Sequence, residues 1–310
     1  VEHEPMAGGR QMNGHFATRS LDENGQWVDL TAQYNSSSDI SPTAGQMPRL
    51  LGLAQASKVY KEVAFEGSEK FSKDGNEVAW GTIGNASTSE GLFFETINAA
   101  GVLQVPMVIS VWDDAYGISV GAEYQTTKED ISEILKGFQR DENGKGYDIF
   151  VVDAWDYTAL INTFMQASKV AREEHVPVMI HVKGMTQPQG HSTSGSHERY
   201  KSPERLQWEK DHDCISKFGE WMQAQGIATQ EELDALTKDA KKAAREGKKE
   251  AWKIYQSQPI RLRNEVLPLL KALQSQGEKG IFVTPIITDL EAVEDIEVAH
   301  SFKAVRKALR

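Results

Sequence analysis

Residues 77–120, EVAWGTIGNASTSEGLFFETINAAGVLQVPMVISVWDDAYGISV, constrain what this chain folds into more than any other stretch. A short apolar run, Val78-Ala79-Trp80, enters a small-residue loop over 81–89. The apolar spacing then predicts an amphipathic helix over about 88–103 and a second apolar run over 105–112, which ends in Asp113-Asp114-Ala115-Tyr116-Gly117. Strand, helix and strand in that order make a βαβ unit, which places both strand ends on one edge of a parallel sheet. The loop at Gly84-Asn85-Ala86 and the loop at Asp113-Asp114 are therefore expected side by side. Together they offer backbone N–H groups, a helix start and carboxylate oxygens, the groups that a phosphate and a hard cation such as Mg²⁺ require. Taken alone, the run from Gly84 to Gly91 also fits an ordinary capped helix start. The second loop adds weight, because Asp114 follows Asn85 by 29 positions, with one helix and one strand between them. The Tyr116 carbonyl supplies a third oxygen at the same strand end.

The remaining chain continues this alternation. Helical spacing runs over 46–63, followed by a polar connection over 65–76. A short helix over 128–138 leads into a turn-rich segment at 141–146 and a strand over 147–153. Asp156 is a natural N-cap for a long helix to 174, and a further strand spans 176–182. The expected fold class is α/β, a parallel sheet with helices on both faces, plus a C-terminal helical extension. Residues 1–45 lack periodicity and read as a disordered arm or a segment that wraps a site. The expected divisions are that N-terminal segment at 1–45, an α/β domain at 46–202, a helical extension at 203–256 and a connector at 257–310. A separate amphipathic helix is expected over 260–273. The alternating charge over 238–253 indicates a solvated helix face rather than a binding patch.

Composition excludes several classes of function. The chain has 310 residues, 39% of them hydrophobic and 25% charged, enough for one large core and a helical appendage. A formal charge of −11 argues against a nucleic-acid partner, whose phosphates require a basic face. No apolar run approaches the roughly 20 residues that span a bilayer, so no membrane partner is expected. The single cysteine, Cys214, excludes an intrachain disulfide framework and fits a reducing cytosol, hence a cytoplasmic location. The acidic start lacks the apolar core of a signal peptide and lacks an initiator Met, as expected for a segment of a longer protein or one whose start is missing.

The paired loops resemble the thiamine diphosphate motif, G-D-G followed after about thirty residues by N-N. More narrowly, Thr88-Ser89-Glu90-Gly91, the Val105-Pro106 after the helix and the Tyr116-Gly117-Ile118-Ser119 run resemble the alpha subunit of 2-oxoacid dehydrogenases. Gly190-His191-Ser192-Thr193-Ser194, with Tyr200-Lys201 beyond it, resembles the active-site loop of the branched-chain type. Ser41-Pro42-Thr43-Ala44-Gly45-Gln46-Met47-Pro48 resembles the segment behind the cofactor's aminopyrimidine, although a turn before a helix fits equally well. The likeness runs from about Gly9 to Gln256.

By this resemblance, Asn85, Asp114 and the Tyr116 carbonyl take Mg²⁺. Ser41, Thr43, Gly84, Ala86, Ser87, Ile118 and His191 bind thiamine diphosphate, and His191 and Ser192 belong to the catalytic loop. The motif is exchanged here: Asn85 stands where the family has an acidic residue and Asp114 where it has its second Asn, leaving one carboxylate and one amide oxygen. Gly45 replaces a hydroxyl residue, which argues against the potassium ion of branched-chain relatives, and Trp112 stands where relatives often carry a cation. The implied activity is decarboxylation of a branched-chain 2-oxo acid or pyruvate with acyl transfer to a lipoyl group. The implied partners are a beta-type subunit or a fused beta-like half, in a heterotetramer or a dimer of fused chains, and a lipoyl-bearing acyltransferase. An acetoin dehydrogenase-type thiamine enzyme and a non-catalytic scaffolding subunit are the competing readings.

Overall fold

The structure, a computed structural model, describes residues 17–37, 40, 42–63, 65–187, 190, 191 and 196–310. The chain divides into two compact units, the first ending at Gln225 and the second spanning Gly226–Arg310.

In the first unit, α1 (Met47–Glu62) precedes strand β1 (Ala79–Gly84), helix α2 (Gly91–Leu103) and strand β2 (Met107–Asp113). A two-residue hairpin, β3 (Tyr116–Gly117) and β4 (Val120–Gly121), leads to the short α3 (Ile131–Ile134). Next come β5 (Asp148–Asp153), α4 (Tyr157–Glu174), β6 (Val178–Lys183), α5 (Pro203–Asp211) and α6 (Cys214–Ala224). The sheet has the order β1-β2-β6-β5 with every pairing parallel. Asp156 caps α4 as expected, its side chain accepting from the Ala159 N–H at 2.9 Å.

Alternation along the central strands builds two cores, one on each face. Met107, Ile109 and Val111 of β2 point toward α1, α2 and α3, where Leu50, Phe93, Ile97 and Ile131 pack. Val108 of β2 and Val178, Ile180 and Val182 of β6 point the other way, against Ala167, Val170 and Ala171 of α4. The expected α/β class with helices on both faces is the observed one. Phe93 and Ile97 are wholly removed from solvent, each contributing on the order of 2–3 kcal/mol.

The boundaries of the first βαβ unit differ from expectation. Residues 81–84, read as loop, are strand, paired in register with 109–112 of β2. Gly81 explains the misreading: a Cβ there would lie 2.5 Å from Leu50 Cδ2, so a glycine is what lets α1 pack on the strand. The loop proper begins at Asn85 with a 3₁₀ turn over Ala86–Ser89, and α2 starts only at Gly91.

The second unit is built on α7 (Gln230–Gln274), a 45-residue helix opened by a capping box between Thr229 and Glu232. The separate helix expected over 260–273 is the last part of α7. Pro259 lies inside it, removing one ladder donor without ending the helix. Residues 234–255 are exposed throughout, as alternating charge implies. Beyond them Val266 and Leu270 pack against Val283, Ile287, Leu290, Ile296 and Ala304, which include residues of α8 (Thr284–Glu291) and α9 (Val298–Ala308). Among the described residues, no helix is long and apolar enough to cross a membrane.

Candidate functional site

The C-terminal ends of β1 and β2 sit beside each other, with Gly84 opposite Trp112 in the register. The Asn85 N–H donates to the Trp112 carbonyl at 3.1 Å, so both loops leave the sheet from one point. They stay in contact. A Cβ on Gly117 would lie 2.6 Å from Ala86 Cβ, which places the loop after β2 directly against the turn after β1.

A cavity of about 570 Å³ opens where the loops meet. Gly84, Asn85, Ala86 and Ser87 line it from the first loop, and Asp114, Tyr116 and Ile118 from the second. Thr43 and His191 complete it from more distant parts of the chain. Nine of the residues singled out from the sequence therefore share one cavity. Ser41 and Ser192 lie outside the described residues.

The local geometry suits an anionic ligand held with a hard cation. A Cβ on Gly84 would meet only Ser87 Oγ, at 4.0 Å, so the missing side chain leaves a cradle open at the strand end. Ala86 and Ser87 open the 3₁₀ turn, where the first N–H groups have no acceptor within the turn. Asn85 is buried at the wall. Burial pushes the Asp114 carboxyl above the usual carboxylate range, against the Tyr116 N–H and the Lys201 ammonium, which pull it down. Its Oδ1 accepts from the Tyr116 N–H at 3.1 Å and its Oδ2 from Gln187 Nε2 at 2.8 Å. Each oxygen keeps lone-pair capacity for a cation.

Charge on the walls is sparse. Among the described lining residues none is Lys or Arg, and Asp114 is the single carboxylate. Among the described residues, no group of three or more His, Cys, Asp or Glu side chains is arranged to hold a metal. An Asn85–Asp114–Tyr116 set would offer one carboxylate, one amide oxygen and one backbone carbonyl, all hard oxygen donors. Mg²⁺ is bound in this manner, through few carboxylates together with phosphate and water. The residues present fit a diphosphate carried with Mg²⁺.

A buried polar chain behind β2 holds the second loop in place. Asp113 Oδ1 accepts from the Ala115 N–H at 2.7 Å while Asp113 Oδ2 lies 2.8 Å from His181 Nε2. His181 Nδ1 lies 3.0 Å from Ser132 Oγ, which donates to Asp130 at 2.6 Å, and Lys183 Nζ donates to Asp130 at 2.7 Å. Burial alone would raise the Asp130 carboxyl, but Lys183, Ser132, the Glu133 N–H and His181 together hold it well below the usual range. This chain supports an unfavourable backbone, since Ala115 and Ile118 both have positive φ, 67° and 60°.

Sequence reasoning missed this chain and much of the wall. The cavity also takes in Thr82, Ile83, Gly117, Gln125, Met185 and Gln187. One signal was available: His181 interrupts the otherwise apolar VMIHV of β6 and is fully buried, which demands partners. Gln187 stands where the resembling family has the Tyr of its upstream Tyr-Arg pair, but its contact with Asp114, 73 positions away, could not be read from that.

The family model described as dehydrogenase E1 component matches residues 23–260. The chain is 28% identical over 256 residues to the mitochondrial 2-oxoisovalerate dehydrogenase subunit alpha of Dictyostelium discoideum, covering 82% of this chain and 50% of that protein. It is 27% identical over 286 residues to the corresponding subunit of Bos taurus, covering 87% and 55%. Subunit alpha 1 of Arabidopsis thaliana is 26% identical over 276 residues, covering 88% and 51%. The chain spans about half the length of the curated relatives it matches.

Proposed function

The chain belongs to the dehydrogenase E1 component family, and we propose that it is the alpha-type part of a thiamine diphosphate-dependent 2-oxoacid dehydrogenase. The proposed reaction is oxidative decarboxylation of a 2-oxo acid with transfer of the acyl group to a lipoyl arm. A branched-chain acid is the favoured substrate, because the relatives above are named for 2-oxoisovalerate. The observation that carries the reading is the single cavity joining the Asn85 loop, the Asp114–Tyr116 loop and His191.

Thiamine diphosphate, when bound, supplies the electron sink for losing CO₂ from a 2-oxo acid. This chain's residues have narrower tasks. Asn85, Asp114 and the Tyr116 carbonyl would hold Mg²⁺, and Gly84, Ala86 and Ser87 would receive the diphosphate at the open strand end. With no Lys or Arg on the described wall, Mg²⁺ carries the positive charge that a diphosphate beside Asp114 requires. Thr43 and Ile118, which line the same cavity, would contact the cofactor. His191 lines the cavity and is exposed, so its imidazole would be placed to give or take a proton at a group bound there and to exchange it with solvent. Ser192 would belong to the same loop and Ser41 to the segment before Thr43.

The proposal includes partners: a beta-type subunit or fused beta-like half, and a lipoyl-bearing acyltransferase component. It also includes a cytoplasmic location, supported by the lone Cys214. Titration calorimetry on the complete assembly tests the cofactor. Thiamine diphosphate is expected to bind with Mg²⁺ present, and absence of heat and of competition under those conditions would end the reading. Decarboxylation of 3-methyl-2-oxobutanoate against pyruvate, with an artificial acceptor, then decides the substrate.

A further inference from the structure

Three charged side chains lie behind the Asp114–Tyr116 loop, outside the cavity. Lys201 Nζ and Arg205 Nε both donate to Glu209 Oε1, at 2.7 and 2.9 Å. The Lys201 and Glu209 side chains are only 1% and 4% exposed, and Glu209 Oε2 is buried with no partner among the described residues. Desolvating ions is costly, and a buried ion pair is commonly no more stabilising than apolar residues of equal volume. Fold stability alone therefore does not account for the trio.

What the trio touches does account for it. Arg205 Nη2 donates to the Asp114 carbonyl at 2.9 Å. The Tyr116 ring lies within reach of both cations, 5.0 Å from Lys201 Nζ and 5.6 Å from Arg205 Cζ. Each cation is thus shared between Glu209 and the loop that presents Asp114 and Tyr116. The mount is firm, because α5 begins at Pro203 with Ser202 Oγ accepting from the Arg205 N–H at 3.2 Å.

We propose that Glu209 is a positioning residue, which holds Lys201 and Arg205 and through them aims the oxygens of the Asp114–Tyr116 loop at a divalent cation. Glu209 acts in two ways. It keeps two like charges from repelling each other, so that Arg205 stays on the Asp114 carbonyl. It also limits the trio to one net positive charge, where its loss would set two against an incoming Mg²⁺. The inference rests on the proposed function and deepens it, since it concerns the same cation.

The test is Glu209→Gln in the full chain with its partner subunit, titrated with thiamine diphosphate at a series of Mg²⁺ concentrations by calorimetry. The Mg²⁺ concentration giving half-maximal binding is expected to rise about tenfold, the scale of one charge-assisted contact. The amount of ligand bound at saturating Mg²⁺ should not change. A merely structural residue would lower the amount bound and leave the half-maximal Mg²⁺ concentration in place, and that outcome overturns the inference. Should Glu209→Gln fail to fold, Arg205→Met, at a position only partly buried, isolates the hydrogen bond to the Asp114 carbonyl; because it also lowers the charge of the trio, a smaller rise in the half-maximal Mg²⁺ concentration is expected, and no rise overturns the inference. A wild-type protein that binds no thiamine diphosphate removes the functional reading and this inference with it. A wild type that binds while the variant titrates identically removes the inference alone.

Discussion

Gly117→Ala is the substitution whose effect follows most directly from the geometry of the two loops. The new Cβ would stand 2.6 Å from Ala86 Cβ and closer still to the Gln125 carboxamide. Gln125 can swing aside, but Ala86 Cβ is fixed to the backbone of the first loop. Carbon atoms settle at about 3.5–4.0 Å, so the loops must part by about 1 Å. Overpacking of this kind costs about 1–3 kcal/mol of stability. A shift of about 1 Å between groups that must act on one ligand costs about a hundredfold in function. Gly121→Ala is the control. The three atoms nearest its Cβ all belong to the carboxylate of the exposed Glu123, the far end of a side chain that can swing aside, so a change within about 0.5 kcal/mol is expected. Denaturant unfolding and calorimetric affinity for thiamine diphosphate at saturating Mg²⁺ measure both effects. If Gly117→Ala binds within about twofold of wild type, the loops do not jointly form the site and the reasoning fails.

Three other substitutions probe separate parts of the account. Asn85→Asp and Asp114→Asn should each weaken Mg²⁺-dependent binding of thiamine diphosphate, while the double exchange restores it; a double variant no better than either single one contradicts a compensating pair. His181→Leu strips Asp113 and Ser132 of their shared partner and should cost about 1–3 kcal/mol in urea unfolding, whereas an unchanged midpoint would deny the buried chain any supporting role. Asp130 has a depressed carboxyl, so its contribution to stability is full above the ordinary aspartate value of about 3.9 and is lost as pH falls below it, toward the lower folded value. Asp130→Asn should therefore flatten the decline of stability below that pH, and unfolding curves that fall as steeply in the variant as in wild type would refute the assignment.

How far the sequence revealed this site depends on which interactions are local. The βαβ order, the Asp156 cap and the pairing of the two strand-end loops were legible, because periodicity, capping and crossover handedness act within a few dozen residues. The extent of β1 was not. Gly81, Thr82 and Gly84 carry little apolar signal, and the space that Gly81 leaves for Leu50 exists only once α1 has packed. The joining of 260–273 to α7 was hidden by Pro259, which ordinarily marks a break. The charged trio was illegible for another reason. Lys201, Arg205 and Glu209 follow a helix-compatible spacing that any surface helix shows, and the Asp114 carbonyl to which Arg205 donates lies 91 positions away. His191 and Thr43 were singled out by family resemblance, and only the tertiary fold puts them at the same cavity as Asn85.

The central claim is that Asn85, Asp114 and Tyr116 surround a divalent cation that carries the cofactor's diphosphate. Crystals grown with thiamine diphosphate and Mn²⁺ test it most directly, through the anomalous signal of the metal. The account predicts one strong peak between Asn85 Oδ1, the Asp114 carboxylate and the Tyr116 carbonyl, at coordination distance from the diphosphate oxygens. A diphosphate bound in the cavity with the metal peak elsewhere, or with no peak at all, would contradict it.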